Sequence, residues 1–522
     1  MATRRDELNA YSFARRRTVA AFLQPSPHGS EEAAPRPLKT VLPSLGVAAL
    51  VLIGFGAWGM LSPTAPKGWD EQGKNILVGS ESTTRYVLVK TKGDGKASLH
   101  PVLNMASAKL LLNGENPQVL KVKESVLDNS KYPMGATVGI PFAPDRLPSA
   151  DDAKTAKTWA LCEAPGQDKQ PVSATYVLDK SDNKKLLENS GQLSSKKVLY
   201  VEGPTDPTIG FGPRYMVTSD GNAYLIGGDL WRLNGDSNTA QDIERAVFGD
   251  GAEPQKVSAD FVKTLNVVGS LQFPELKDAG AAAQVDSLGP TLGKVGMVLE
   301  ADSGAGRQKY IVLKDKIQPI SDFTAQMWLR STWINSVYGG ADPKPMNVQF
   351  NSIHPADGEW MSEMKWPREP VTQSNKYWEQ GGDKVSCSVW HGGQKNDQTG
   401  LPLMTVWTGK DYPKDVSQSG SRTYVSPGSG LLFKRVTGTD AGGGSTFLVT
   451  DTGLRYSIPA RNDSEVTGGE KADTDGQQQT NSSQVRLGYG KIRPVSVPAA
   501  WADLLAAGPE LSSGNAEQAQ GS

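Results

Sequence analysis

Four histidines and two cysteines in 522 residues leave little material for metal chemistry. His28, His100, His354 and His391 are far apart, and no C-x-x-C or H-E-x-x-H brings ligands together, so no zinc site is expected. The phosphate-cradling G-x-x-x-x-G-K-[ST] is missing as well. Gly73-Lys74 has Gly68 in the first position but Asn75 where the Ser/Thr must stand, and Gly95-Lys96, Gly293-Lys294, Gly409-Lys410 and Gly490-Lys491 lack both the first glycine and the Ser/Thr. There is no G-x-S-x-G elbow, which removes the commonest sign of a serine hydrolase. Glycan hydrolysis needs two carboxyls about 5 to 9 Å apart, and sequence alone singles out no such pair. No residue is therefore assigned to catalysis, to a metal or to a cofactor.

Charge of one sign is also lacking. Residues 67–522 carry 48 basic and 52 acidic side chains, which gives no reason to expect nucleic acid as a partner. Aromatic residues make up only 7%, whereas Gly (56) and Pro (34) are plentiful. That balance reads as short strands and turns with a few helices, an α+β chain long enough for several domains.

What is present is a window without charge from Val41 to Pro66. Its stretch Val41 to Leu61 holds fifteen apolar residues, four glycines, one Ser and one Pro. As helix those 21 residues span about 31 Å, against a hydrocarbon core of about 30 Å. A single transmembrane helix is expected over 41–62. Residues 1–40 carry seven basic and four acidic side chains, and only Lys67 and Lys74 follow closely, so the N-terminus is expected in the cytoplasm and the rest outside. A cleaved signal peptide would need a shorter leader and a shorter apolar core. A twin-arginine signal at Arg16-Arg17 would need its apolar core within a few residues. A buried globular helix fits poorly with 26 uncharged residues in a row. Gly54-Phe-Gly56-Ala-Trp-Gly59 matches G-x-G-x-x-G but lacks the preceding strand and βαβ context of a dinucleotide site; small residues admitting a neighbouring helix explain it better.

Before the window, residues 5–23 read as an amphipathic helix ended by Pro25, with Leu8, Tyr11, Val19, Phe22 and Leu23 near helical spacing. Arg4, Arg5, Leu8, Tyr11, Phe13, Arg15, Arg16 and Arg17 form a candidate cytoplasmic interaction helix, able to meet a partner or the inner leaflet; a basic topology signal is the plainer reading. Residues 24–39 are a polar tether.

Beyond the window a motif recurs. Tyr215-Met-Val-Thr-Ser-Asp-Gly-Asn-Ala-Tyr224-Leu-Ile226 aligns without gaps on Phe447-Leu-Val-Thr-Asp-Thr-Gly-Leu-Arg-Tyr456-Ser-Ile458, each a hairpin about a glycine-bearing turn. Tyr310 to Ile320 has the same rhythm, followed by a helix expected over Asp322 to Trp328. Leu99 to Leu111 matches Ile317 to Leu329 in its apolar positions and its proline. A hairpin followed by a short helix is thus expected four times. The expected layout is repeat 1 at 76–149, a β-rich central domain from 150–200 and 331–420, repeat 2 at 201–270, repeat 3 at 271–330 and repeat 4 at 421–511. A mobile loop over 462–484 and a polar tail over 512–522 complete it. Asp473-Thr-Asp475 within that loop begins like a calcium site but lacks the later ligands. Arg493 to Pro498 reads as extended, and Ala500 to Ala507 as a helical turn or two. The tryptophans at 328, 333, 360, 366, 378 and 390 fit core packing beside the Cys387 segment, with a contact surface as the other reading. Cys162 and Cys387 both fall outside the membrane, where a disulfide is favoured over two buried thiols.

The opening Arg4-Arg5-Asp6-Glu7-Leu8-Asn9-Ala10-Tyr11-Ser12-Phe13-Ala14-Arg15-Arg16-Arg17, the apolar segment, the two outer cysteines, the repeated hairpins and the closing Leu487-Gly488-Tyr489-Gly490 with Pro494 to Pro498 together resemble the EccB family of type VII (ESX) secretion systems. The resemblance implies a single-pass plasma-membrane protein with an elongated ectodomain: a β-rich core closed by a Cys162–Cys387 disulfide, flanked by four repeats similar to a phage-lysin cell-wall-binding subunit. It implies partners as well, namely EccC, EccD and EccE-like components, further copies of the chain, and peptidoglycan, in a complex exporting WXG-type proteins. The family has been described as ATP-hydrolysing, which makes ATP the one cofactor the resemblance raises, with no residue here to hold it.

Overall fold

The computed structural model describes residues 3–23, 37–61, 65–90, 96–114, 117–189, 191–228, 237–304, 306–379, 381–395, 400, 402–416, 422–438, 444–459 and 482–520. Two compact units make up the chain, Met1–Trp69 with Lys121–Asn129, and Asp70–Leu120 with Ser130–Ser522.

In the first unit, helix Arg4–Leu23 starts with Asp6 and Glu7 in its first turn, where carboxylates complement the helix dipole. Its candidate interaction residues leave their side chains in solvent, Tyr11 being 73% and Leu8 70% exposed. A second helix, Pro37–Leu61, holds the apolar window and runs through Pro43. Gly54 and Gly56 lie inside it with open space beside them, in continuous helix rather than a strand-to-helix turn. Among the described residues no helix is long and apolar enough to cross a membrane. The side chains described without interruption run from Pro43 to Ala57, about 22 Å of helix.

Among its described residues the second unit contains five sheets, and four of them share one plan. Each starts as a three-stranded antiparallel meander: Asn75–Gly79, Arg85–Val89 and Ser98–Val102 in the first; Lys197–Glu202, Arg214–Thr218 and Asn222–Ile226 in the second; Val298–Asp302, Arg307–Leu313 and Lys316–Ile320 in the third; Leu431–Val436, Thr446–Val449 and Leu454–Ile458 in the fourth. A helix follows the meander, and the chain then returns to flank its edges. In the second sheet Gln255–Lys256 joins the first strand and Asn266–Leu271 the third, both parallel. In the fourth, Val495–Pro498 and Ala506–Ala507 do the same. The third repeats this with Met346–Asn347 and a single parallel bridge from Pro355 to Ile317. In the first, Met134 and Val138 bridge the third strand. Parallel pairing requires a crossover, which the intervening helices supply.

The aligned hairpins agree down to register. Tyr215 faces Leu225 and Phe447 faces Ser457, and the turn glycines Gly221 and Gly453 take left-handed φ of 73° and 79°. Their amides close the turns on the Thr218 and Thr450 carbonyls at 2.9 and 3.0 Å. A side chain at Gly221 would strain that backbone and place its Cβ 2.5 Å from Met404 Cβ. In the other pair Pro101 sits opposite Tyr86 and Pro319 opposite Tyr310. Helix Asp322–Leu329 follows, capped by Ser321, whose hydroxyl accepts from the Thr324 amide.

The fifth sheet is the central one, ordered Pro402–Gly409, Val385–Lys395, Thr158–Pro165, Pro171–Leu178, Thr423–Val425. Its strands alternate between two buried faces. Trp159, Leu161, Val177, Trp390 and Val406 share a core with Leu199, Val201 and Phe261 of the second repeat and Phe433, Val449 and Trp501 of the fourth. Ala160, Cys162, Tyr176, Val385, Cys387 and Val389 fill the opposite face. The outer repeats pack on the inner ones. Phe323 and Met327 of the third meet Met216, Tyr224 and Ile243 of the second, while Ala106 and Leu110 of the first meet Leu432, Leu448 and Tyr489 of the fourth.

Several segments lie elsewhere than the sequence places them. Lys197 to Tyr200, expected in the central domain, belong to strand Lys197–Glu202, which begins the second meander. Residues 334–353, also expected there, pack with the third repeat through Ile334, Val337 and Ile353. The expected helical turns over 500–507 divide into helix Ala499–Ala502 and strand Ala506–Ala507. The closing tail is folded rather than loose: helix Ser513–Ala516 buries Leu511, Ser513 and Ala516 against the first repeat, and the Gln520 amide donates to the Thr137 carbonyl at 2.8 Å. Most of the loop 462–484, including Asp473 and Asp475, lies outside the described residues, as does His28; Ser482 begins helix Ser482–Arg486.

Candidate functional site

Cys162 and Cys387 are directly opposed in the central sheet, and their sulfurs form a disulfide with Cα atoms 4.0 Å apart. Both are fully buried. The neighbouring pair, Glu163 and Ser386, starts a polar network on the other face of the same strands. Glu163 Oε1 accepts from the hydroxyls of Ser173 (2.7 Å) and Ser258 (2.6 Å), and Oε2 accepts from the Ser258 amide at 2.8 Å. Ser258 is the cap of helix Ala259–Thr264, so a carboxylate sits at that helix N-terminus, where the dipole favours it.

The network continues through Gln255. Its Nε2 donates to the Glu163 carbonyl at 3.0 Å, and its Oε1 accepts from Ser386 Oγ at 2.7 Å and Asn375 Nδ2 at 3.1 Å. Asn375 in turn accepts from the Tyr200 amide and donates to the Tyr200 carbonyl, each at 3.0 Å, replacing a ladder partner with a side chain. Glu163, Gln255, Asn375 and Ser386 are completely buried. A satisfied network of this kind admits one arrangement, because moving any member strands a buried polar group at about 1–3 kcal/mol. It fixes the second repeat on the central sheet. On the fourth repeat's side Asp152 Oδ2 accepts from the Gly430 amide (2.7 Å) and Ser429 Oγ (3.0 Å), while Lys157 pairs with its Oδ1.

The outer joints resemble each other chemically. Gln326 Nε2 donates to the Ala246 carbonyl (2.6 Å) and Arg330 to the Arg245 carbonyl (2.9 Å), joining the third repeat to the second. Arg486 donates to the Leu110 carbonyl (2.8 Å) and Lys109 to the Leu487 carbonyl (3.2 Å), joining the fourth to the first. In each joint basic side chains cap the carbonyl ends of a neighbouring helix.

The tryptophans divide. Trp328, Trp366 and Trp390 are buried, whereas Trp333 and Trp378 are 48% and 37% exposed. Trp390 shares its strand with Cys387 but points to the opposite face, against Trp159 and Trp501. Trp328 and Trp360 pack edge to face in the third repeat. The histidines stay apart. His100 is buried between Ser98 Oγ and the Ala136 carbonyl, His354 is exposed, and His391 bonds Thr405 Oγ1. Burial lowers the His391 pKa, with the Glu188 charge working the other way. Among the described residues no three His, Cys, Asp or Glu side chains group as a metal site.

Asp503 is held acidic by two arginines. Two hydrogen bonds from Arg435, at 2.9 and 2.6 Å, and one from Arg455 at 2.7 Å hold its pKa down to about 2 from 3.8. A depressed folded pKa contributes stability that is fully present above about pH 4 and is lost as pH falls through about 2. Asp503→Asn is therefore expected to be less stable than the parent at pH 6, with the difference shrinking below about pH 4 and gone only below about pH 2. The pair is half exposed, so the gap at pH 6 should stay within about 1 kcal/mol, read from urea unfolding at each pH.

The family described as "Type VII secretion system ESX-1, transport TM domain B" matches residues 1–522, the whole chain. The chain belongs to the EccB family. Among family members, the protein named ESX-3 secretion system ATPase EccB3 from Mycolicibacterium smegmatis is 28% identical over 499 residues, covering 92% of this chain and 84% of that one. The ESX-1 secretion system ATPase EccB1 of Mycobacterium tuberculosis is 27% identical over 444 residues, covering 80% and 78%. The solved structure of an EccB3 dimer from the ESX-3 core complex superposes with a TM-score of 0.55 at 25% identity, covering 85% of this chain and 99% of that one. A chain of an intact ESX-5 inner membrane complex shares the fold, with a TM-score of 0.55 at 20% identity and coverage of 100% and 96%. This EccB-family chain is a type VII secretion component, mixed α/β and rich in strands.

Proposed function

We propose that this EccB-family chain is a structural, single-pass component of the type VII secretion inner-membrane complex, scaffolding export of WXG-type proteins together with EccC, EccD and EccE-like components and further copies of itself. The observation that carries the reading is the buried joint described above, in which a disulfide-closed sheet fixes repeats at set positions through a network with one satisfied arrangement. Such a body suits holding partners rather than turning over a substrate. In this reading Val41–Leu61 crosses the membrane, since the sequence stays uncharged well past the fifteen residues from Pro43 to Ala57. Arg4–Leu23 then lies in the cytoplasm with Arg15, Arg16 and Arg17 exposed for the machinery there.

ATP hydrolysis is the second reading, because the relatives named above carry ATPase in their names. The sequence has no Walker A motif, and a site on the outer face would meet little ATP. Affinity purification of the full chain from detergent-solubilised membranes tests both. Co-purification of an FtsK-like ATPase and a multi-span protein, with no turnover by the chain once separated from them, is the expected result. Recovery of the chain alone would overturn the scaffold. Steady hydrolysis by the isolated chain, abolished by a point substitution, would establish the enzyme.

A further inference from the structure

The disulfide-bearing side of the central sheet also holds a cavity of about 10 Å³, room for one ion or one water, lined among others by Asn183, Glu188, Gln192, His391, Thr405 and Trp407. Three features of its wall point to an occupant. Asn183 is 6% exposed; its Nδ2 donates to Glu188 Oε1 at 2.8 Å, and its Oδ1 is buried with no hydrogen-bond partner. An orphaned buried acceptor of that kind is destabilising, and a bound cation or water would satisfy it. His391 comes from strand Val385–Lys395, and its Nε2 bonds Thr405 Oγ1 at 2.8 Å, fixing the ring and leaving Nδ1 for another partner. Glu188 closes the single π-helical turn Lys184–Glu188, a conformation that recurs where a side chain must be re-aimed at a functional site.

We propose that this cavity is a site for one first-row divalent cation, held by His391 Nδ1, the Glu188 carboxylate and Asn183 Oδ1. One imidazole nitrogen with carboxylate and amide oxygens suits Zn²⁺ or Mn²⁺, and Gln192 or water can complete the shell. The Thr405 bond is the outer-shell contact that orients a ligating histidine. Glu188 is exposed, which gives the ion a path in. A bound ion would pin the π-turn after Pro171–Leu178 to strands contributed from beyond the second and third repeats.

The test uses the full chain in detergent, stripped with EDTA and titrated with ZnCl₂ by calorimetry and by thermal unfolding. One Zn²⁺ per chain and a rise in unfolding midpoint are expected. Glu188→Gln and His391→Ala should each weaken binding about 10- to 100-fold while the metal-free midpoint stays close to that of the parent. Asn183→Asp replaces an amide ligand with a carboxylate, so it should tighten binding about 10-fold, a gain that a damaged fold would not produce. If the parent and all three variants take up Zn²⁺ equally, or none does, the cavity holds a water and the proposal fails.

Discussion

Replacing Cys162 and Cys387 together with alanine is expected to lower the stability of the central sheet by about 2–5 kcal/mol. The bridge joins residues 225 apart, and chain-entropy arithmetic for a loop of that length gives about 5 kcal/mol at 25 °C. That figure is an upper bound, because a denatured chain keeps residual structure that already restricts the loop. Alanine leaves no polar group in a face otherwise made of Ala160, Tyr176, Val385 and Val389, so the loss should report the cross-link rather than a buried hydroxyl. Guanidinium unfolding of the parent with and without reductant supplies the matched control. The reduced parent and the double variant should have nearly the same midpoint, well below that of the oxidised chain. A midpoint that does not move with reductant would mean that the bridge contributes nothing beyond the ladder pairing of Thr158–Pro165 with Val385–Lys395.

Trp328→Ala is expected to be at least as damaging, at about 3–5 kcal/mol. The indole is fully buried, packs edge to face on Trp360 at 6.0 Å, and donates from Nε1 to the Gly296 carbonyl at 2.7 Å. Gly296 has φ of 91°, and a Cβ there would stand 2.6 Å from the same ring, so backbone and indole are fitted to each other. Trp328→Phe separates the two contributions: it keeps much of the apolar contact and strands the Gly296 carbonyl, for about 1–3 kcal/mol. Amide exchange is the suitable measurement, because the loss should concentrate in the third repeat around Val298, Ile311 and Val337 and spare the central sheet. Uniform loss of protection would contradict a core belonging to that repeat.

Local pattern makes the hairpins legible in the sequence. In Tyr215 to Ile226 and Phe447 to Ile458 the apolar alternation and the turn glycine lie within a dozen residues, and strand register follows from those alone. Pro101 and Pro319 marked equivalent positions in the other pair for the same reason. Two of the parallel edge strands, Gln255–Lys256 and Met346–Asn347, have two residues each, too few to show a period, whereas Val495–Pro498 lies in the stretch that reads as extended. The joint itself was missed on different grounds. Glu163, Gln255, Asn375 and Ser386 come from four separate stretches, and none resembles a motif; only the fold brings their polar atoms within 3.1 Å. A fully apolar stretch interrupted by a single Glu, Leu161-Cys-Glu-Ala164, was the available signal. The folded tail escaped because Ser, Gly, Asn and Gln read as solvent-facing, whereas Ser512 caps a helix that Leu511 and Ala516 anchor.

The pairing of the first repeat with the fourth sets the order in which the chain can mature. The second and third repeats are neighbours in sequence and can assemble as soon as both have emerged. Leu110 and Ala106 meet Leu432 and Tyr489 only after more than three hundred further residues have been made, and Cys162 waits 225 residues for Cys387. Closure of such distant contacts is slow, and the apolar faces of the first repeat stay uncovered meanwhile.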